Sequence, residues 1–171
     1  MKSYPLFLNL EGKDCLVVGG GEVAARKIEA LLRRGARVTC VSKEFSKFVK
    51  NLGKKNRRNL ILKVSNGKIK LNRARLVIAA TSDRPFNERI ARECRRKKIW
   101  VNVVDDPELC DFTVPAVLER GPLQIAVSTG GTSPLFAKRL RQELERAIPL
   151  STGRLLEKIG ALREKWRRKK R

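Results

Sequence analysis

The run Cys15-Leu-Val-Val-Gly-Gly-Gly-Glu-Val-Ala24 constrains the fold more than any other stretch of this chain. Leu16, Val17 and Val18 are apolar without alternation, as expected of a strand covered on both faces in a parallel sheet. Beyond the glycines, Val23, Ala24, Lys27, Ile28, Leu31 and Leu32 recur at three- and four-residue spacing, which predicts an amphipathic helix. Gly19, Gly21 and Ala24 sit between them at the G-x-G-x-x-A spacing of a dinucleotide-binding turn. Gly19 allows the tight turn, Gly21 lets a pyrophosphate approach the backbone, and Ala24 keeps helix and strand close. The free N–H groups at the helix start then face the phosphates.

A glycine turn alone also serves to join a strand to a helix, so its context matters. Here a second apolar run, Val38-Thr-Cys-Val41, closes a βαβ unit of the length that such a site requires. The acidic residue expected near the end of the second strand is ambiguous, because Ser42, Lys43 and Glu44 stand there. Either Glu44 or backbone groups take the ribose hydroxyls of NAD, or Lys43 meets the 2′-phosphate of NADP.

With 171 residues the chain can bury one good core and a smaller appendage. No apolar segment approaches a bilayer span, and Pro5 to Leu10 is too short for a signal peptide, so a soluble, cytoplasmic protein without a membrane partner is expected. Cys15, Cys40, Cys94 and Cys110 form no C-x-x-C pair, and the chain has no histidine, which argues against a metal site. The cysteines read as small core residues in a reducing compartment. The net charge of +23 could favour nucleic acid, an anionic membrane surface or a polyanionic small molecule. The basic residues are spread along the chain with no aromatic-rich RNA-binding signature, which argues against nucleic acid. A solvated basic surface and a substrate with many carboxylates remain.

Taken in order, residues 1–12 form a lead-in whose Pro5, Leu6, Phe7 and Leu8 are expected to cover the sheet edge. Gly35 ends the first helix. A short basic helix is predicted within Glu44–Arg58, with Phe45, Phe48, Val49 and Leu52 on one face. A third strand is predicted at Leu60–Val64, a brief element at Gly67–Leu71, and a strand at Arg75–Thr81 that puts Thr81 beside the cofactor. Asp83 caps a helix over Pro85–Lys97 with Phe86, Ile90 and Cys94 inward. The strand Ile99–Val104 then delivers Asp105 and Asp106 to the same crevice, as candidates for chemistry beside their ordinary role as turn-formers. These elements predict an α/β fold, a Rossmann-like doubly wound parallel sheet. After Cys110 the pattern changes to a hairpin, Phe112–Leu118 with Leu123–Val127, and a helix from Pro134 to Ile148 capped by Ser133. A last helix begins near Ser151 and decays into a basic tail. The boundaries expected are 1–110 for the dinucleotide-binding domain, 111–149 for a small α+β region and 150–171 for a short helical tail. The middle region is too small for a core of its own, which points to a homodimer.

The succession P-L-F-L-N-L, V-V-G-G-G-E-V-A-A-R-K, I-A-A-T, V-N-V-V-D-D, F-x-V-P-A and S-T-G-G-T-S-P-L-F-A resembles the precorrin-2 dehydrogenase family, the amino-terminal module of sirohaem synthases. The resemblance runs from Pro5 to about Pro149. It implies NAD-dependent oxidation of precorrin-2, a polycarboxylate tetrapyrrole, to sirohydrochlorin, and in some members iron insertion as well. It implies a catalytic role for Asp105 and NAD contacts at Glu22, Val23, Lys43 and Glu44. It makes 111–149 the dimerisation region, and it places Ser128, Thr129, Gly130, Gly131, Thr132 and Ser133, with Asp106, against the substrate. The family's helical carboxyl-terminal domain is shortened here.

The chemistry agrees with the residues. A hydride must leave carbon for the nicotinamide while a proton leaves the macrocycle, so one well-placed carboxylate suffices as base. With no histidine to deliver metal, iron insertion is expected to be weak or absent. The alternative is a dinucleotide-sensing regulatory module, which would have no need of the S-T-G-G-T-S-P loop.

Overall fold

The computed structural model describes residues 3–71 and 74–169. It divides into two compact units, Pro5–Thr113 and a second that takes the chain from Val114 onward. The first contains β1 (Asp14–Val18), α1 (Glu22–Arg33), β2 (Arg37–Ser42), α2 (Lys47–Lys55), β3 (Leu60–Val64), β4 (Leu76–Ala79), α3 (Arg84–Arg96) and β5 (Trp100–Val103). All five strands are parallel, in the order β3-β2-β1-β4-β5. The unbroken apolar runs follow from this arrangement, because both faces are covered. Cys15 and Val17 pack with Ala24 and Ile28 of α1 on one face, whereas Leu16 and Val18 pack with Ile90 and Cys94 of α3 on the other. Ile28 and Val17 are wholly buried. Each such aliphatic contributes roughly 1.5–3 kcal/mol.

Local signals fix the helix ends. Gly35, at φ 71°, closes α1, its N–H donating to the Leu32 carbonyl at 2.9 Å. Ser46 caps α2 and Asp83 caps α3, the Asp83 Oδ1 accepting the Phe86 N–H at 2.9 Å. Removing that acceptor in Asp83→Ala is expected to cost about 1 kcal/mol, read as a thermal midpoint about 2–4 °C lower. Asp83→Asn keeps the cap and should melt like the parent.

Three local expectations need correction. Phe48 is 62% exposed, because the wholly buried Val49 sets the direction in which α2 meets the sheet, and the preceding residue lies about 100° around the helix. Gly67–Leu71 forms no regular element. Leu71 and Ile69 anchor it as a loop against the second core cluster, with Gly67 at φ 108° and the Ser65 hydroxyl donating to the Lys68 carbonyl at 2.6 Å. In the lead-in, Leu6 and Phe7 are exposed, and it is Leu8 and Leu10 that reach the first core cluster. Residues 1–2 of that lead-in lie outside the described residues.

The second unit holds the antiparallel pair β6 (Ala116–Arg120) and β7 (Leu123–Val127), α4 (Pro134–Ala147) and α5 (Ser151–Lys169). Gly121, at φ 56°, makes the hairpin turn. Arg120, its side chain 10% exposed, ties the hairpin to the end of α4, donating to the Ile148 carbonyl at 3.0 Å and the Glu145 carbonyl at 2.9 Å. Gly153 lets α5 approach that turn, since a Cβ there would stand 2.7 Å from the Arg120 carbonyl oxygen. The basic stretch expected to decay is helical through Lys169, in keeping with its content of Leu, Glu, Lys and Arg. Residues 170–171 lie outside the described residues. Among the described residues, Leu118, Val127 and Ala137 are this unit's buried apolar side chains, while Phe136, Leu155, Ile159, Leu162 and Trp166 are exposed.

Candidate active site at the carboxyl edge of the sheet

The strand order reverses between β1 and β4, and there the carboxyl ends of the parallel strands open a cleft of about 1140 Å³. Its floor is the glycine turn. Gly19 has φ 124°, and a Cβ there would overlap the Ala80 carbonyl. A Cβ on Gly20 would overlap the Glu44 carbonyl, so both glycines are required by close backbone approach. The turn is strapped from both sides. The Gly19 N–H donates to the Val41 carbonyl at 2.9 Å, and the Gly20 carbonyl accepts the Ser46 N–H at 2.8 Å.

Gly21 differs, because a Cβ there would meet nothing within 4 Å. It is the N-cap of α1 and supplies no side-chain acceptor, so the first-turn N–H groups are left for a ligand. Open space at Gly21, an uncapped helix start and a cleft along the strand ends fit the pyrophosphate and nucleosides of a dinucleotide.

Glu22, Val23, Lys43, Glu44, Thr81 and Asp105 line this cleft together with Gly19 and Gly21. Ala24 lies beneath it, wholly buried in the core. Thr81 is latched to α3. Its hydroxyl donates to Asn87 Oδ1 at 2.6 Å, and Asn87 Nδ2 returns a bond to the Thr81 carbonyl at 2.9 Å. Asp105 follows β5 in a turn with φ 62°, a conformation that Asp tolerates better than most residues. The pair of acids does not enter the crevice together. Asp106 turns toward α3, where its carboxylate, 14% exposed, meets Arg84 Nε at 3.3 Å.

Ser128–Ser133 belong to the second unit, between β7 and α4. Gly130 and Gly131 have φ 64° and 90°, Ser128 Oγ accepts the Gly130 N–H at 3.2 Å, and Thr129 Oγ1 accepts the Ser133 N–H at 3.0 Å. Ser133 caps α4 through the Phe136 N–H at 3.2 Å.

Several residues around Asp105 escaped the reading of the sequence. Lys27, half-buried on α1, has its pKa lowered by burial and by Arg26, while Asp105 and Cys110 oppose the shift. A lysine on the inward stripe between Ala24 and Ile28 was the available signal. Asn102, inside an otherwise apolar strand, donates to the Phe112 carbonyl at 2.9 Å. A polar residue in a buried strand was its signal. Cys110, whose partners are mostly backbone atoms, had none.

A five-stranded parallel sheet with a glycine-floored cleft at its switch point defines a Rossmann-type dinucleotide-binding protein. A family model of NAD(P)-binding domains matches residues 6–116, and the model of the central region of sirohaem biosynthesis proteins matches residues 120–147. The chain therefore belongs to the NAD(P)-binding family of sirohaem biosynthesis, with a nicotinamide dinucleotide as its cofactor. It is 44% identical over 169 residues, 99% of its length, to the sirohaem synthase of Nitrosomonas europaea, and 44% identical over 165 residues, 96% of its length, to that of Methylobacillus flagellatus. It spans about a third of those proteins, 36% and 35% respectively. A solved structure named SirC, precorrin-2 dehydrogenase, superposes with a TM-score of 0.73 at 29% identity, covering 91% of this chain and 76% of that one.

Proposed function

We propose that this chain is a precorrin-2 dehydrogenase, which removes a hydride and a proton from precorrin-2 to give sirohydrochlorin, NADH and H⁺. The observation that carries this reading is Asp105, held at φ 62° on the wall of the dinucleotide cleft. The likeness to SirC, over most of both chains, supports the substrate. Bound NAD supplies the hydride acceptor. Within the chain, the glycine turn and the start of α1 hold the pyrophosphate, and Thr81, latched to Asn87, fixes the cleft wall opposite Glu44. Glu44 beside Lys43 suits ribose hydroxyls better than a 2′-phosphate, which favours NAD over NADP. Asp105 takes the proton lost from the macrocycle, with Lys27 of α1 as its charged neighbour. The loop Ser128–Ser133 is a proposed contact for the carboxylated substrate, and Asp106 is proposed to act through Arg84, whose exposed guanidinium it holds at 3.3 Å and which suits a carboxylate. Anaerobic incubation with precorrin-2 and NAD tests the reading by the appearance of the sirohydrochlorin spectrum. NAD binding with no tetrapyrrole turnover would favour the sensing module instead.

The same reading assigns the protein to the cytoplasm, in keeping with four buried, unpaired cysteines. Among the described residues no helix is long and apolar enough to cross a membrane. We assign it a homodimeric state, because the second unit buries few apolar side chains and exposes a stripe at Leu155, Ile159, Leu162 and Trp166. Sedimentation at micromolar concentration should show about twice 19.4 kDa. A stable monomer would remove this assignment. Iron insertion is assigned to a separate enzyme. Sirohydrochlorin with Fe²⁺ should therefore be metallated at the spontaneous rate whether or not the protein is added.

A further inference from the structure

We propose that Cys110 is the positioning residue for Asp105, its thiol holding the turn that carries the carboxylate in its left-handed conformation. This rests on the reading of Asp105 as the base. β5 is the edge strand of the sheet, so its outward N–H groups have no neighbouring strand to bond. The chain returns along that edge after the 3₁₀ turn Pro107–Leu109, and two side chains act where a sixth strand would. Asp111 Oδ2 accepts the Val101 N–H at 3.0 Å, while the Asp111 N–H donates to the Val101 carbonyl at 2.8 Å. Two residues along the strand, Cys110 Sγ accepts the Val103 N–H at 3.2 Å. The same sulfur accepts from Asn102 Nδ2 at 3.4 Å and lies 3.2 Å from the Val103 carbonyl oxygen and 3.3 Å from the Asp106 carbonyl oxygen, so its one S–H can be donated to either.

One buried atom therefore bonds to the backbone on both sides of Asp105. A non-glycine residue at φ 62° persists only where its surroundings determine it. Val103 and Asp106 are the fixed ends of this turn, and the thiol joins them. Burial raises the Cys110 pKa, so the thiol keeps the hydrogen that it donates to these carbonyls. A serine reproduces the donor and acceptor with a shorter bond, whereas an alanine leaves the Val103 N–H without its partner and frees the turn to relax to negative φ, drawing the carboxylate away from the cleft wall.

The test uses Cys110→Ala and Cys110→Ser, each in the parent and in Asp105→Asn. In the parent, Cys110→Ala should lower kcat about 10- to 100-fold, the scale of a misplacement near 1 Å, with KM for NAD within about twofold. Cys110→Ser should recover most of the loss, and in Asp105→Asn the alanine should cost nothing further. A second readout needs no turnover. The amide–Hα coupling of Asp105, which reports φ, and the exchange protection of the Val103 amide should change in Cys110→Ala and persist in Cys110→Ser. An unchanged coupling and protection in Cys110→Ala, or an equal loss of rate in both backgrounds, would overturn the proposal. If the parent protein fails to oxidise precorrin-2, the reading of Asp105 as base falls. The coupling and the exchange still decide whether Cys110 holds the turn.

Discussion

Asp105→Asn is expected to lower kcat for precorrin-2 oxidation by about 10²- to 10⁴-fold, the range that a positioned general base contributes, while leaving the affinity for NAD within about twofold. The two readouts separate because the groups lie on different elements. The cofactor is held by the turn after β1 and the start of α1, whereas Asp105 follows β5. Asparagine is nearly isosteric and tolerates positive φ as aspartate does, so the turn survives and the loss reports the missing base. Lys27 provides a second signature. Asp105 raises its pKa against the lowering by burial and Arg26, so removing the charge should lower the Lys27 pKa further. Stopped-flow NADH formation alongside an NAD titration measures the first effect, and ammonium titration by NMR the second. Unaltered kcat in Asp105→Asn would move the base elsewhere.

Gly19→Val should be among the most damaging single changes in the first unit. Its Cβ would overlap the Ala80 carbonyl, and φ 124° is a conformation that branched side chains avoid. Because β1 and β4 are paired at that point, Val18 with Ala79, the backbone has little room to give. A cost of about 2–4 kcal/mol is expected, read as a midpoint about 6–12 °C lower, together with loss of measurable NAD binding. Gly21→Ala is the control, since a Cβ there enters open space. It should fold like the parent and reveal its effect in cofactor affinity alone. Equal melting of Gly19→Val and Gly21→Ala would contradict the described turn.

Much of this architecture was legible in the sequence because its causes are local. Ser133 and Asp83 announce helices by accepting N–H groups three residues on, and Gly35 announces an end by its positive φ. Unbroken apolar runs implied strands covered on both faces, as Cys15 to Val18 are. What escaped depends on contacts distant in the chain or on chain direction. The spacing of the apolar residues in α2 put Phe48 and Val49 on one face, but how a nine-residue helix docks separates them, with Val49 buried and Phe48 exposed. Asp105 and Asp106 were equivalent as letters. The positive φ of the first and the Arg84 partner of the second separate them. Cys110 read as an ordinary core cysteine because hydrogen bonds from a thiol to backbone carry no mark in the sequence.

The most direct test of the central claim compares the parent with Asp105→Asn under anaerobic conditions, each supplied with precorrin-2 and saturating NAD, with NADH and sirohydrochlorin counted in the same sample. The account predicts one NADH per sirohydrochlorin in the parent and a far slower, still stoichiometric reaction in the variant, with the same NAD occupancy in both. Full NAD occupancy in a parent protein that leaves precorrin-2 unchanged, or a variant that matches the parent's rate, would contradict it.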